Sequence, residues 1–195
     1  MDSKAINRIE RAIKGSISTK ERLLCDKAII QNVVKASDLC IAALSSGKKI
    51  LLAGNGGSAA DAQHIAAELG GRFYYDRPGL PAMALTTDTS LLTAIGNDLG
   101  FDELFSRQLQ TNAAQGDVFI GISTSGNSAN VVNACYKAKE LGVSSIGFTG
   151  EHGKLNEVCD VCISVPSSCT PRIQESHILL GHIICELIES AIFPR

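Results

Sequence analysis

A histidine and a glutamate four residues apart, His64 and Glu68, follow directly on a glycine-rich turn in GNGGSAADAQHIAAE, residues 54–68. On a helix that spacing puts both side chains on one face. A second polar set lies near the C-terminus in IQESHILLGHIICELI, where Gln174, Ile178 and His182 recur at i, i+4 and i+8 along an otherwise apolar helix. Two neutral imidazoles, a carboxylate and an amide oxygen form a donor set for zinc or another divalent ion at a four-coordinate site. The same groups can work as general acids and bases without a metal. Taken singly, each has an ordinary structural role: His64 and Glu68 as an exposed helix pair, His182 as a satisfied core histidine. Nearness to the glycine-rich turn favours function for His64 and Glu68. His177 and Glu175 fall off the Gln174 and His182 stripe and read as supporting or surface groups, and His152 in TGEHGKL reads as solvated.

The turn GNGGS and a later one, STSGNS at 123–128, share a design of small residues, glycines that permit positive φ, and a helix starting at once. Backbone N–H groups at such a turn point outward at the positive end of a helix dipole, which suits a phosphate. Ser123, Thr124, Ser125 and Ser128 add hydroxyl donors. No GxxxxGK[ST] is present, and GNGGSA lacks the third glycine of GxGxxG. A monophosphate is therefore the expected ligand, rather than a nucleotide triphosphate or a dinucleotide.

The elements that must position these groups alternate. Apolar runs KILLAG, PAMALTT (81–87), DVFIGIST (117–124), VSSIGFTG (143–150) and VCISVP (161–166) are separated by helical segments at 59–70, 91–95 with 103–111, 128–141 and 173–192. Near-continuous apolar strands between helices predict an α/β three-layer sandwich whose five-stranded parallel sheet is covered on both faces. In such folds ligands bind outside the carboxyl ends of the strands, where the polar turns lie. Residues 1–46 show helical periodicity without strand signals and read as a helical arm.

The chain has 195 residues, 45% hydrophobic and 19% charged, with a formal charge of -2. That length predicts one domain, 1–195, and the charge lacks the basic surplus that nucleic-acid binding leaves. No apolar run reads as a membrane span and the polar start MDSKAINRIERAIKGS lacks a secretory signal, so a cytoplasmic protein with no membrane partner is expected. Most of the seven scattered cysteines read as buried small hydrophobes in place of a disulfide framework. Cys159 and Cys162 have CxxC spacing, but no second CxxC exists, and an odd spacing along a strand would send the two thiols to opposite faces.

Together GNGGSAADAQHIAAEL, LTAIGNDLGFDELFSRQ, ISTSGNSANV and PRIQESHILLGHIICELIE resemble the bacterial phosphoheptose isomerases, a sugar-isomerase (SIS) domain family, from about Lys48 to the end. The resemblance implies the SIS fold with flavodoxin-like strand order, and conversion of sedoheptulose 7-phosphate to D-glycero-D-manno-heptose 7-phosphate for lipopolysaccharide core heptose. It implies one zinc ion per subunit and a homotetramer, with the N-terminal helices at subunit contacts. Carried over by motif, Ser123, Thr124, Ser125 and Ser128 bind the phosphate, and Asn55, Gly56, Gly57, Asn97 and Asp98 line the sugar. Glu68 and His182 are the catalytic acid/base pair, and His64, Glu68, Gln174 and His182 the zinc ligands, with Glu68 and Gln174 also touching substrate. One departure is that Thr170 and Pro171 stand where some members have an acidic residue just before the arginine, Arg172 here. The competing reading is a non-catalytic SIS adaptor that binds the replication initiator DnaA. Such an adaptor lacks the helix glutamate, so Glu68 and the intact GNGGS favour the enzyme. A sugar-phosphate-sensing regulator would carry a DNA-binding domain, and no segment here reads as one.

Overall fold

A computed structural model describes residues 3–195. Two long helices open the chain, α1 (Ser3–Cys25) and α2 (Lys27–Ser45). The break between them is a cap: Asp26 leaves helical geometry and its Oδ1 accepts from the N–H groups of Ala28 and Ile29 at 2.9 and 3.2 Å. The alternation that follows is β1 (Ile50–Gly54), α3 (Gly57–Gly70), β2 (Ala82–Ala84), α4 (Thr89–Asp98), a 3₁₀ turn at Phe101–Glu103, α5 (Leu104–Asn112), β3 (Val118–Ile122), α6 (Ala129–Glu140), β4 (Ser144–Thr149), α7 (Leu155–Val158), β5 (Val161–Ser164) and α8 (Thr170–Ile192).

All five strands are parallel, in the order β2-β1-β3-β4-β5. This is the expected doubly wound order. Ile50 sits opposite Ala82 on one side and Val118 on the other, and Val118 faces Ser144. Side chains alternate between two cores. Ile50, Leu52, Ile120, Ile122, Ile146 and Phe148 pack against α2, α3 and α8. Leu51, Ala53 and Phe119 pack against α4, α5, α6 and α7. Strands β1 and β3 are buried at every position, which explains why they read as unbroken apolar runs.

Helix α2 has the length and composition that would suffice for a membrane span, which the sequence reading missed. Here its face of Ile29, Val33, Ala36, Cys40, Ala43 and Leu44 is buried in the first core. Helix α1 buries only Thr19 and Leu23.

Several helices begin earlier than the sequence suggested. Helix α4 starts at Thr89 because Asp88 caps it, accepting from the Leu91 N–H at 2.9 Å. Helix α8 starts at Thr170, with Pro171 in its first turn, where a missing N–H costs nothing. The expectation for Cys159 and Cys162 is corrected. Cys159 lies before β5 begins, so strand alternation does not govern it, and both sulfurs face Gly147. Cys159 Sγ lies 3.5 Å from Cys135 Sγ, and burial pushes the Cys162 thiol up to about 12. All seven cysteines are free; Cys40, Cys135 and Cys185 are buried, while Cys25 and Cys169 are exposed.

Candidate active site

The turn after β3 gathers hydroxyls. Ser123 is buried, and its Oγ lies 2.9 Å from Ser128 Oγ and 3.4 Å from Ser125 Oγ. Ser128 is the N-cap of α6, yet its hydroxyl makes no cap bond, so the first turn of that helix keeps donors to offer. Gly126 turns the loop with φ of 66°, and a Cβ there would come within 2.4 Å of Thr149 Oγ1. Thr124 is fixed through its carbonyl, which accepts from the Gly150 N–H at 3.1 Å.

The turn after β1 is tied to this loop by amides. Asn55 and Asn130 exchange two hydrogen bonds, each 2.9 Å, so the β1 turn and the start of α6 are locked together. Beside Asn55 opens a cavity of about 430 Å³, lined by Gly54, Asn55, Gly56, Thr86, Gly96 and Phe105 among others, a size that suits a small molecule. Gly57 begins α3, and Gln174 of α8 lies against it: a Cβ on Gly57 would sit 2.4 Å from Gln174 Nε2. Asn97 and Asp98 are exposed at the end of α4, where Asn97 Nδ2 donates to Asp98 Oδ1 at 2.7 Å. Gly96, not these two, lines the cavity within this chain.

His64, Glu68 and His182 come together. His64 Nε2 lies 2.9 Å from His182 Nε2 and 3.2 Å from Glu68 Oε1. The approach of α8 to α3 that permits this depends on Gly181, where a Cβ would come within 2.6 Å of Ile65 Cδ1. Among the described residues these three form a group able to hold a metal ion, one donor atom from each lying within 4.8 Å of the others. Zinc with Zn–N near 2.0–2.1 Å needs tetrahedral ligand atoms about 3.3 Å apart, so this donor set needs only small adjustment to fit. Gln174 stands two turns back on the helix that carries His182.

Sequence reasoning missed the groups that brace this cluster. Arg77 donates to the carbonyl oxygens of Glu68, Leu69 and Gly71 at 2.9, 2.7 and 3.1 Å, closing the C-terminal end of α3. Its Nε pairs with Glu189 Oε1 at 2.9 Å, both side chains being buried. Burial alone would raise the Glu189 carboxyl, but the N–H groups of Tyr74 and Phe73 and the Arg77 guanidinium outweigh it and hold the group below the usual carboxylate range. Arg77 lies in a loop without a periodic signal, and Asn130 is one polar residue in an ordinary helix start. Asp61, one turn before His64, is half-buried with Oδ2 unpartnered; burial raises its carboxyl, opposed by His64.

His177 corrects an expectation. It is fully buried, with Nε2 at 3.1 Å from the Thr149 carbonyl and Nδ1 without a partner among the described residues. Burial pushes its pKa down to about 4. The core histidine of α8 is thus His177, and His182 is the half-exposed one. Glu175 pairs with Arg172 at 2.7 Å, and His152 is exposed as expected.

A parallel sheet carrying a hydroxyl-rich turn at one strand end, with acid/base groups on two neighbouring helices, defines a SIS domain, and residues 17–150 match that family. Within it, the chain belongs to the phosphoheptose isomerases. It is 59% identical to phosphoheptose isomerase of Aneurinibacillus thermoaerophilus over 95% of this chain and 94% of that protein. It is 52% identical to that of Burkholderia pseudomallei over the full length of both. The solved phosphoheptose isomerase GmhA from Neisseria gonorrhoeae superposes with a TM-score of 0.89 at 46% identity, covering 95% of this chain and 99% of that one. The likeness therefore extends through the N-terminal helices. None of these relatives supports the adaptor alternative.

Proposed function

We propose that the chain is an aldose–ketose isomerase that converts sedoheptulose 7-phosphate to D-glycero-D-manno-heptose 7-phosphate, feeding heptose to the lipopolysaccharide core. The observation that carries this reading is the convergence of Glu68 and His182, with His64, from different helices of a chain whose serine loop suits a phosphate.

Ser123, Thr124, Ser125, Ser128 and the N-terminus of α6 hold the phosphate. Asn55, Gly56, Gly57 and Gln174 line the sugar, with Asn97 and Asp98 at its rim. Moving a carbonyl between adjacent carbons requires a proton to leave one carbon and arrive at the next through an enediol. Glu68 takes and returns the carbon proton, and His182 carries the proton between the two oxygens. His64, Glu68, Gln174 and His182 would hold one zinc ion per subunit, which when bound supplies a Lewis acid for the carbonyl oxygen.

The exposed stripe Ile6, Ile9, Ile13 and Ile17 on α1 supports self-association of the single domain 1–195 into a homotetramer through its N-terminal helices. Seven free cysteines fit the reducing cytoplasm. The test is formation of the aldose phosphate from sedoheptulose 7-phosphate by the purified protein, and its loss in Glu68→Gln.

A further inference from the structure

A second cavity, of about 480 Å³, lies between α1 and the start of α8, on the β5 edge of the sheet. Its lining includes Arg8, Arg11, Arg22 and Arg172 together with Ser167 and Cys169. It shares no residue with the serine loop, from which it is separated by the loop after β4: Gly150 N–H donates to the Thr124 carbonyl on one side, and Glu151 N–H to the Ser167 carbonyl on the other.

Four guanidiniums meet here, and two carboxylates answer them. Arg22 pairs with Glu151 at 3.7 Å and Arg172 with Glu175 at 2.7 Å. Arg8 and Arg11 have no ion-pair or hydrogen-bond partner among the described residues. Arg172 also donates to the Ala12 carbonyl, yet its Nε is buried without a partner. The first turn of α8 contains no acidic residue and its N-cap, Cys169, makes no side-chain cap bond, so neither offsets the positive end of the helix. Since Glu175 also lies 4.0 Å from Lys20, the surplus is at least two positive charges, enough for a phosphate monoester dianion, and planar guanidiniums are the donors that bind such a group with paired hydrogen bonds.

The arginines share one stripe of α1. Arg8, Arg11, Gly15, Ser18 and Arg22 recur at helical spacing toward the cleft, on the side opposite Ile6, Ile9, Ile13 and Ile17. A neighbour covering the apolar stripe would leave the cleft open.

We propose that this cleft is a second anion site, distinct from the serine loop, that binds the phosphate group of a phosphorylated small molecule. The cavity exceeds the needs of phosphate alone and leaves room for the organic part of the ester.

The test is calorimetric titration of the full-length protein with inorganic phosphate. The wild type binds two phosphates per chain. Arg8→Ala combined with Arg11→Ala removes or weakens one of them by about tenfold or more, as loss of charge-assisted contacts requires, while turnover of the sugar phosphate stays unchanged. Ser125→Ala weakens the other and spares this one. A wild type with a single site, lost in the arginine variant, would keep the cleft and remove the serine loop as a phosphate site. The proposal is overturned if the arginine variant binds phosphate as the wild type does. It is equally overturned if that variant changes only the sedimentation of the protein, since the arginines would then serve a neighbouring chain.

Discussion

His64 Nε2 and His182 Nε2 stand 2.9 Å apart, although 118 residues of sequence separate them. Two imidazole nitrogens at that distance share either one proton or a cation, because two lone pairs facing each other repel. Glu68 Oε1 at 3.2 Å from His64 adds the negative charge that favours a cation. The pair therefore joins the two proposed roles of the site: it can hold a metal, and it places His182 within reach of the carboxylate that the proposed reaction pairs with it.

The base assignment predicts that Glu68→Gln keeps the fold and loses turnover. General base catalysis contributes roughly 10²–10⁴-fold, and kcat should fall by at least that factor with circular dichroism unchanged. Activity within a few-fold of wild type would remove Glu68 from that role.

Metal content provides an independent check. Purified protein loaded with zinc and desalted should carry one ion per chain, and His64→Ala should carry less than a tenth of that by elemental analysis, since removing one ligand leaves an incomplete donor set. Equal zinc in both proteins would place the ion elsewhere.

Arg77→Ala should destabilise the fold by about 3–5 kcal/mol, the usual cost of leaving a buried charge unpaired. The partner left behind is Glu189, and three carbonyls at the end of α3, that of Glu68 included, lose their donor as well. The lowered urea midpoint should come with a loss of kcat beyond the unfolded fraction, because Glu68 is on the turn that frays. Wild-type stability would show that the ion pair is dispensable.

His177 predicts a pH dependence of stability with a definite sign. Its folded pKa lies near 4, below the ordinary 6.5, so the unfolded chain binds the proton first as pH falls. Stability from this group is full above pH 6.5 and declines toward pH 4, by about 3 kcal/mol in all. In His177→Gln, whose amide can still donate to the Thr149 carbonyl, denaturant midpoints between those limits should vary less with pH than in the wild type. Identical slopes would contradict the assignment.

Much of this was legible in the sequence, for physical reasons that differ by element. Strands such as ILLAG and VFIGI are buried on both faces, so every residue had to be apolar and the run announced itself. His64 and Glu68 were readable because one turn of helix fixes their relation. Meeting His182 was not, since it depends on the packing of α8 on α3 at Gly181 and Ile65, which no local pattern encodes. Asn130 and Arg77 were missed for the same reason: their partners, Asn55 and Glu189, lie 75 and 112 residues away. The two histidines of α8 show the limit of periodicity, since the stripe argument set His177 aside as a supporting or surface group although it is fully buried. Its burial follows from the Thr149 carbonyl and the Phe148 ring, contacts that only the fold supplies.

The most direct test is proton NMR of sedoheptulose 7-phosphate incubated with the zinc-loaded protein in deuterated water. The account predicts new anomeric signals of the aldose phosphate and deuterium at its C2, the mark of an enediol whose base exchanges with solvent. A sugar phosphate that binds the protein yet remains unchanged would contradict it.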